Sequence, residues 1–390
     1  MREDISNNAC RADAVVVGLC SHGLAVARSL HSAGARILAI ESNRNLPGTN
    51  TNVASVEFVE SIKADELCGA LLAVAERRRF NQSQPVLFLT NDSMVRAVGE
   101  GWEKLAPYFR LSWSECREQT LRLLGKDSIA SFCETAGVDF PKSMLVNSLH
   151  ECASVGELLP AAVKPAEPMG AFKVSKVESV QELEQIVQSY PDELPLIVQE
   201  WIPGGPEALV FASGFATEGE LQNAFSGYKV RSWPLASGQG SVIAPLADPD
   251  VIAAARQFVS VTDLTGPIAV EFKRRPDGRL ALIEPNVGRT EYCTEAATVN
   301  GVDIARAEYA HVMGYKTETR QQLDRYIWCD FERDAGSTIA ALGHCWRVGR
   351  WLVPTTPFLR VNDLRPFFVS LKQRFTQLVR KIGKKALLLK

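Results

Sequence analysis

Between Val270 and Arg289 the chain reads VEFKRRPDGRLALIEPNVGR, two β-type runs joined at Asp277-Gly278. A two-residue turn needs positive φ, which Asp and Gly tolerate, so this dipeptide between two such runs signals a hairpin. Counting outward from the turn sets Leu280 opposite Arg275, Leu282 opposite Lys273, Ile283 opposite Phe272 and Glu284 opposite Glu271. Two carboxylates in direct cross-strand opposition repel each other and weaken the hairpin unless something neutralises them. A bound cation does so. Asn286 lies two residues beyond Glu284, on the same strand face, and adds a third hard oxygen. Glu271, Glu284 and Asn286 thus form a nest suited to Mg²⁺ or Mn²⁺, which keeps waters and substrate oxygens and needs few protein ligands. The competing reading leaves both glutamates on a solvated sheet face, screened by Lys273 and Arg274.

The hairpin closes a β-rich passage. From Ala161 onward, AAVKPAEPMGAFKVSKV, LPLIVQEWIPGG, EALVFASGFA and YKVRSWPLASGQGSV are rich in β-formers and glycine, with one helix expected over 250–264. That is the pattern of an α+β domain with an antiparallel sheet. The chain begins differently: AVVVGL, a helix over 22–33, ARILAIE, SVEFVE, a helix over 64–79 and PVLFLTND read as a parallel α/β unit. Between the two, SECREQTLRLLGKDSIASFCETAGVDFPKS is helical and stopped by Gly137 and Pro141. The expected fold class is therefore α/β plus α+β. It comprises an N-terminal parallel α/β domain over 1–114, a second domain over 115–316 with a smaller lobe at 140–202, and a C-terminal extension over 317–390. A chain of 390 residues, 46% of them apolar, can fill the cores this requires.

Lys and Arg number 43 against 45 Asp and Glu, so the net charge of -2 gives no whole-chain attraction to nucleic acid or anionic lipid. Nine cysteines without a CxxC pair fit reduced thiols in a cytoplasmic protein better than a disulfide framework or a zinc site. The N-terminal residues lack the apolar core of a signal peptide, and no apolar run reaches membrane-spanning length.

Two further passages suit a nucleotide. In VKP, Lys164 leaves a buried strand beside a loop containing Gly170, where its ammonium can reach phosphate oxygens and loop N–H groups can cover them. Equally, it is a solvated strand-end lysine. LPLIVQ runs into Glu200, Trp201 and Ile202 before a Pro-Gly-Gly break, so backbone groups there can meet an adenine edge. Glu207, just after the break, can accept from ribose hydroxyls; the plain alternative is a strand end with a surface Trp.

Taken in order, Lys126 before a helix ending in AGVDFPKS, VKP at Lys164, VQEWIPGGPE, YKVR, VEFKR and IEPNVGR resemble the ATP-grasp superfamily. The run looks closest to the carboxylate–amine ligases of that superfamily, the group that includes D-aspartate ligase. The resemblance implies two α+β lobes that clasp ATP behind the N-terminal α/β domain. It implies that Lys126 and Lys164 bind phosphates, that Glu200, Trp201 and Ile202 border adenine, and that Glu207 takes ribose. Glu271, Glu284 and Asn286 then hold one or two Mg²⁺, and Arg289 stabilises phosphoryl or acyl-phosphate charge. Lys229 and Arg231, alternate residues of one strand, take the γ-phosphate or a substrate carboxylate. The implied reaction joins a small-molecule carboxylate to an amine through an acyl phosphate, releasing ADP and phosphate. No nucleic acid takes part, and a homodimer is left open. A non-catalytic ATP- and Mg-binding regulatory module and an ATP-dependent carboxylase are the alternatives.

Two departures from the pattern stand out. PAEPMGAFKV offers one glycine, Gly170, where relatives carry a glycine-rich loop, and Asn286-Val287-Gly288-Arg289 is one residue longer than the usual Asn-x-Arg. Gly288 is the residue that can bring the arginine back to the same place.

The remaining features are less specific. VVVGLCSHG is not GxGxxG, which disfavours a dehydrogenase. His22 and Thr90-Asn91-Asp92, at expected strand ends, either contact the substrate carboxylate or cap helices. Glu291 and Glu295 either draw in the amine or complement a helix dipole. No Cys–His pair lies near the motifs, so a thioester route has no support. Finally, Phe368, Leu371, Phe375, Leu378, Val379 and Ile382 recur at helical spacing opposite Lys372, Arg374, Arg380, Lys381, Lys384 and Lys385. Such a helix can lie on the inner membrane face. Docking of the stripe on the protein body is the expectation, since apolar stripes usually face a core.

Overall fold

The structure is a computed structural model that describes residues 12–388 apart from 126–127, 167–171, 173, 236–237 and 317–319; for 377–388 it describes the backbone alone. Four strands near the N-terminus, β1 (Ala14–Val17), β2 (Ile37–Glu41), β3 (Ser55–Phe58) and β4 (Val86–Phe88), form a parallel sheet of order β3-β2-β1-β4. All four residues of β1 are buried, as a central parallel strand covered on both faces requires. The helices α1 (Ser21–Ser32), α2 (Ala64–Arg78) and α3 (Asp92–Glu100) accompany it. Asn91 caps α3 by accepting from the Met94 N–H at 2.9 Å.

Next come α4 (Arg117–Leu124) and α5 (Ile129–Ala136), the latter ended by Gly137 at φ 66°. A small antiparallel sheet follows at 143–200, inside the expected smaller lobe. Its strands β5 (Ser143–Val146), β6 (Ala161–Pro165), β7 (Ser175–Val177) and β8 (Leu196–Glu200) lie in the order β5-β8-β6-β7. Helix α6 (Val180–Ser189) buries Leu183 and Val187 in the same apolar cluster as Val163, Leu196 and Val198.

The large sheet runs β13-β12-β9-β10-β11-β14-β15. Its members are β9 (Leu209–Thr217), β10 (Glu220–Trp233), β11 (Gln239–Pro245), β12 (Gly266–Arg274), β13 (Leu280–Val287), β14 (Tyr326–Cys329) and β15 (Val353–Thr355). Helix α7 (Pro249–Val259) stops five residues short of the expected Leu264. Beyond it lie α8 (Thr294–Val299), α9 (Ile304–Met313), α10 (Ser337–Val348) and α11 (Arg365–Leu388). The C-terminal extension is thus built into the central sheet through β14 and β15. It also straps the N-terminal unit: Asp363 accepts from Arg28 at 2.9 Å and from Thr51 at 2.7 Å. One apolar core joins Val15 and Leu87 to Val210, Phe258 and Val270, so the parallel unit and the large sheet are packed as one body.

Glu308 on α9 is buried in this body, and Ser112 Oγ donates to it at 2.6 Å. Burial pushes its carboxyl up to about 8 despite that bond. The folded protein therefore holds a proton that the unfolded chain releases above its ordinary value of 4.5. Stability from this group is full below that value and lost as pH rises towards 8. Between pH 6 and pH 8 the loss is about 2–3 kcal/mol. Urea unfolding at the two pH values should show Glu308→Gln, which keeps the Ser112 bond, losing that much less than the wild type; equal losses reject the assignment.

Candidate active site

The hairpin that ends β12 and begins β13 brings the two glutamates together, by a route different from the expected one. Arg275 N–H donates to Arg279 C=O at 2.8 Å and Gly278 N–H to Arg275 C=O at 2.9 Å, so the turn holds three residues, with Gly278 at φ 90°. Leu280 consequently faces Arg274, Ala281 faces Lys273 and Leu282 faces Phe272, each one step from the two-residue count. A bulge between Glu271 and Phe272 then leaves Ile283 outside the paired register and restores Glu284 opposite Glu271. Asn286 lies opposite Ala269 and is buried.

The like charges are offset by a residue from another strand. Lys229 on β10 is buried, and its Nζ lies 2.7 Å from Glu271 Oε2, while Tyr292 Oη donates to Glu271 Oε1 at 3.1 Å. Burial opposes the Lys229 charge, but Glu271, Glu284 and Glu291 together raise its pKa above the ordinary lysine value. Burial, together with Glu271, Cys293 and Glu291, pushes the Tyr292 phenol well above its usual range, so it stays a donor. Lys273 and Arg274 do not serve as the screen. Lys273 Nζ binds the carbonyls of Gly204 and Gly205 at 2.9 and 3.2 Å, and Arg274 pairs with Asp248 at 2.6 Å.

Arg289 sits at the junction with the N-terminal unit. It donates to Asn286 Oδ1 at 2.8 Å and to Asp92 Oδ2 at 3.1 Å, and it also binds Glu291. Burial opposes its charge, yet Glu291 and Asp92 raise its pKa and hold it as a cation. Glu291 is buried, and burial raises its carboxyl above the usual range even beside Arg289. Glu295 lies elsewhere, bound to Trp328 Nε1 at 3.1 Å and to Arg360 at 2.5 Å, so it anchors the C-terminal extension.

A Cys–His pair does approach the site, which sequence distance conceals. Cys20 Sγ lies 3.3 Å from His22 Nε2, itself 2.8 Å from the Thr90 carbonyl, and the field of His22 reaches Glu291. Burial opposes thiolate formation at Cys20, but His22 more than offsets it and lowers the thiol pKa. The imidazole is raised in turn: burial opposes its charge, and Cys20 restores it.

Of the expected nucleotide residues, Lys126 and Gly170 lie outside the described residues. Lys164 on β6 lies 3.2 Å from Gln199 Oε1. The Glu200 carboxylate is bridged to Arg275, with Arg275 Nη2 at 3.1 Å, so this carboxylate is already engaged. Ile202 is buried, and its N–H makes no backbone hydrogen bond among the described residues. Trp201 lies beneath Lys176, 5.2 Å from ring centroid to Nζ, and Glu207 is exposed. Arg231 is not grouped with Lys229. Bulges on either side of it break the alternation of β10, and it pairs with Asp334 of the extension, Nη2 to Oδ1 at 3.3 Å.

Sequence reasoning missed Lys273 and Arg275 as a clasp. They alternate with Glu271 on β12 and its turn, which marks them as sharing its face. Arg275 also binds Asp139. Together the two cations tie the large sheet to the end of β8 and the Pro-Gly-Gly break.

Two carboxylates and an amide oxygen fit a Mg²⁺ that takes its other ligands from phosphates and water. Among the described residues no three His, Cys, Asp or Glu side chains converge to hold an ion by themselves.

A parallel α/β unit, a small antiparallel lobe and a large, mainly antiparallel sheet carrying this acid pair constitute the ATP-grasp fold, and the chain has it. Among solved structures it is similar to an N5-carboxyaminoimidazole ribonucleotide synthetase in its ADP complex, with 18% identity, TM-score 0.62 and coverage of 80% of this chain and 79% of that one. Biotin carboxylase from Campylobacter jejuni gives 15%, 0.61, 80% and 73%, and an L-amino acid ligase from Bacillus licheniformis gives 16%, 0.58, 77% and 74%. No family model matches the chain, and no curated protein does.

Proposed function

We propose that this protein is an ATP-dependent carboxylate–amine ligase working in the cytoplasm. The observation that carries the reading is the Glu271–Glu284 cross-strand pair with Asn286, flanked by Lys229 and Arg289, in an ATP-grasp fold. In this reading the backbone of Glu200 and Ile202, beside Trp201, takes the adenine edge, Glu207 takes the ribose, and Lys164 takes phosphate oxygens, the role that the sequence also suggests for Lys126. When bound at Glu271, Glu284 and Asn286, Mg²⁺ supplies positive charge to the phosphate oxygens.

An oxygen of the substrate carboxylate bonds to the γ-phosphorus as the bond to the β,γ-bridging oxygen breaks, giving an acyl phosphate and ADP. Lys229 and Arg289, both held charged by surrounding acids, stabilise the oxygens that gain charge. The nitrogen of a neutral amine then bonds to the acyl carbon. The carbon–oxygen bond to phosphate breaks, and the proton lost by the amine leaves on the phosphate. Closure of the lobes around these steps keeps water from the acyl phosphate.

Purified protein incubated with Mg²⁺ and ATP should release ADP only when a carboxylic acid and an amine are both supplied. A screen of amino acids in pairs reads this directly. ADP release that needs bicarbonate in place of the acid would replace the ligase with a carboxylase, a reading favoured by the names of two of the three structures given above. Nucleotide binding without turnover on any pair would leave a regulatory module.

A further inference from the structure

The last helix carries the first half of its apolar stripe on the outside; the side chains of Leu378, Val379 and Ile382 lie outside the described residues. Phe368, Leu371 and Phe375, at i, i+3 and i+7 of α11, are 60%, 48% and 68% exposed. For these three residues this reverses the usual burial of an amphipathic helix and contradicts the expectation that they dock on the body. Polar bonds fix the rotation: Ser370 Oγ donates to Glu332 at 3.0 Å, and Gln373 Nε2 donates to the Asn45 carbonyl at 2.6 Å. Phe367 meets Phe331 with ring centroids 6.3 Å apart. The side that faces the protein is thus satisfied without the stripe. Helix α10 shows the same inversion, with Ile339, Leu342 and Trp346 exposed at the same spacing and Trp346 90% exposed.

Charge says what covers α11. Residues 335–390 hold eleven Lys and Arg and a single acid, Asp363, which is buried against Arg28 and Thr51. The rest of the chain holds 32 Lys and Arg against 44 Asp and Glu. Arg365 and Lys372 are exposed close to the stripe. Two copies meeting through this segment would bring like charges together, whereas an anionic surface attracts it. No helix among the described residues is long and apolar enough to cross a membrane.

We propose that α11 seats the protein on an anionic phospholipid bilayer, lying in the plane of the surface. Phe368, Leu371 and Phe375 enter the boundary between headgroups and acyl chains, and the flanking basic residues meet the headgroup phosphates. Phe368, Leu371 and Phe375 make no hydrogen bond or ion pair with Glu271, Glu284, Asn286, Lys229 or Arg289, so membrane binding and ADP formation are read as separate quantities.

Sedimentation of the full chain with vesicles tests this. The protein should pellet with phosphatidylcholine vesicles that contain phosphatidylglycerol and stay in solution with phosphatidylcholine alone, and raised salt should release it. Phe368→Ser combined with Phe375→Ser should lower binding about tenfold with unchanged circular dichroism and melting temperature, because both side chains are exposed. Lys372→Glu should weaken binding by a smaller factor. Equal pelleting of wild type and double variant, or no pelleting with the anionic vesicles, overturns the proposal. A dimer by light scattering that dissociates in the double variant, without vesicle binding, overturns it in favour of a second copy.

Discussion

Glu284→Gln is expected to lower Mg²⁺-dependent ADP formation by roughly a thousandfold or more while leaving the fold intact, the loss corresponding to about 4 kcal/mol of transition-state stabilisation. Glu284 is suited to such a test because its carboxylate makes no hydrogen bond or ion pair with any described residue. Its field helps to raise Lys229. Neutralising it removes a like charge opposite Glu271, so the unfolding midpoint should hold or rise slightly.

Glu271→Gln provides the contrast. That change withdraws the partner of a buried ammonium, and breaking a buried ion pair from one side costs about 3–5 kcal/mol. If the acid pair is the metal seat, both variants lose activity, but only the second loses stability. Single-turnover ADP formation and urea unfolding on the same preparations read the two quantities. A Glu284→Gln protein that turns over at the wild-type rate removes the metal assignment, whatever the stability data show.

The part of the site that was legible in the sequence rested on local pattern. Glu271 and Glu284 face one another because alternation and a turn signal fix strand pairing, although two offsets had to cancel for the count to succeed. The turn is one residue longer than Asp-Gly alone suggests, and the bulge at Ile283 takes up the difference. Neither carries a residue-type signature strong enough to be read in advance. Bulges also explain why Arg231 parts from Lys229: alternation holds only for an unbroken ladder. What remained hidden was non-local. Lys229 reaches Glu271 across the intervening β9, Asp92 meets Arg289 from the start of α3, and His22 comes near Glu291 from the first helix. For α11, periodicity located the stripe but not its rotation, which two polar contacts to Glu332 and Asn45 decide.

The join between the site and the core should be equally sensitive, and Gly288→Ala measures it. Gly288 has φ +70°, a region that side chains with a Cβ rarely adopt. An added Cβ would stand 2.9 Å from Val95 Cγ1, 3.0 Å from Thr120 Cγ2 and 3.2 Å from Trp113 Cε2. All three neighbours are held: Val95 and Trp113 are fully buried, Thr120 is buried on α4, and Trp113 Nε1 donates to the Gly288 carbonyl at 3.0 Å. Backbone strain and overpacking therefore act together, for an expected loss of roughly 3–5 kcal/mol. The next residue is Arg289, bound to Asn286, Asp92 and Glu291, so relief of the clash by backbone movement displaces the guanidinium from all three. The rate of ADP formation per folded molecule should then fall in addition to the melting temperature, because a misplacement of about 1 Å can cost a hundredfold. A Gly288→Ala protein with wild-type stability would show that the loop adapts. One that is destabilised yet fully active per folded molecule would separate Arg289 from the chemistry.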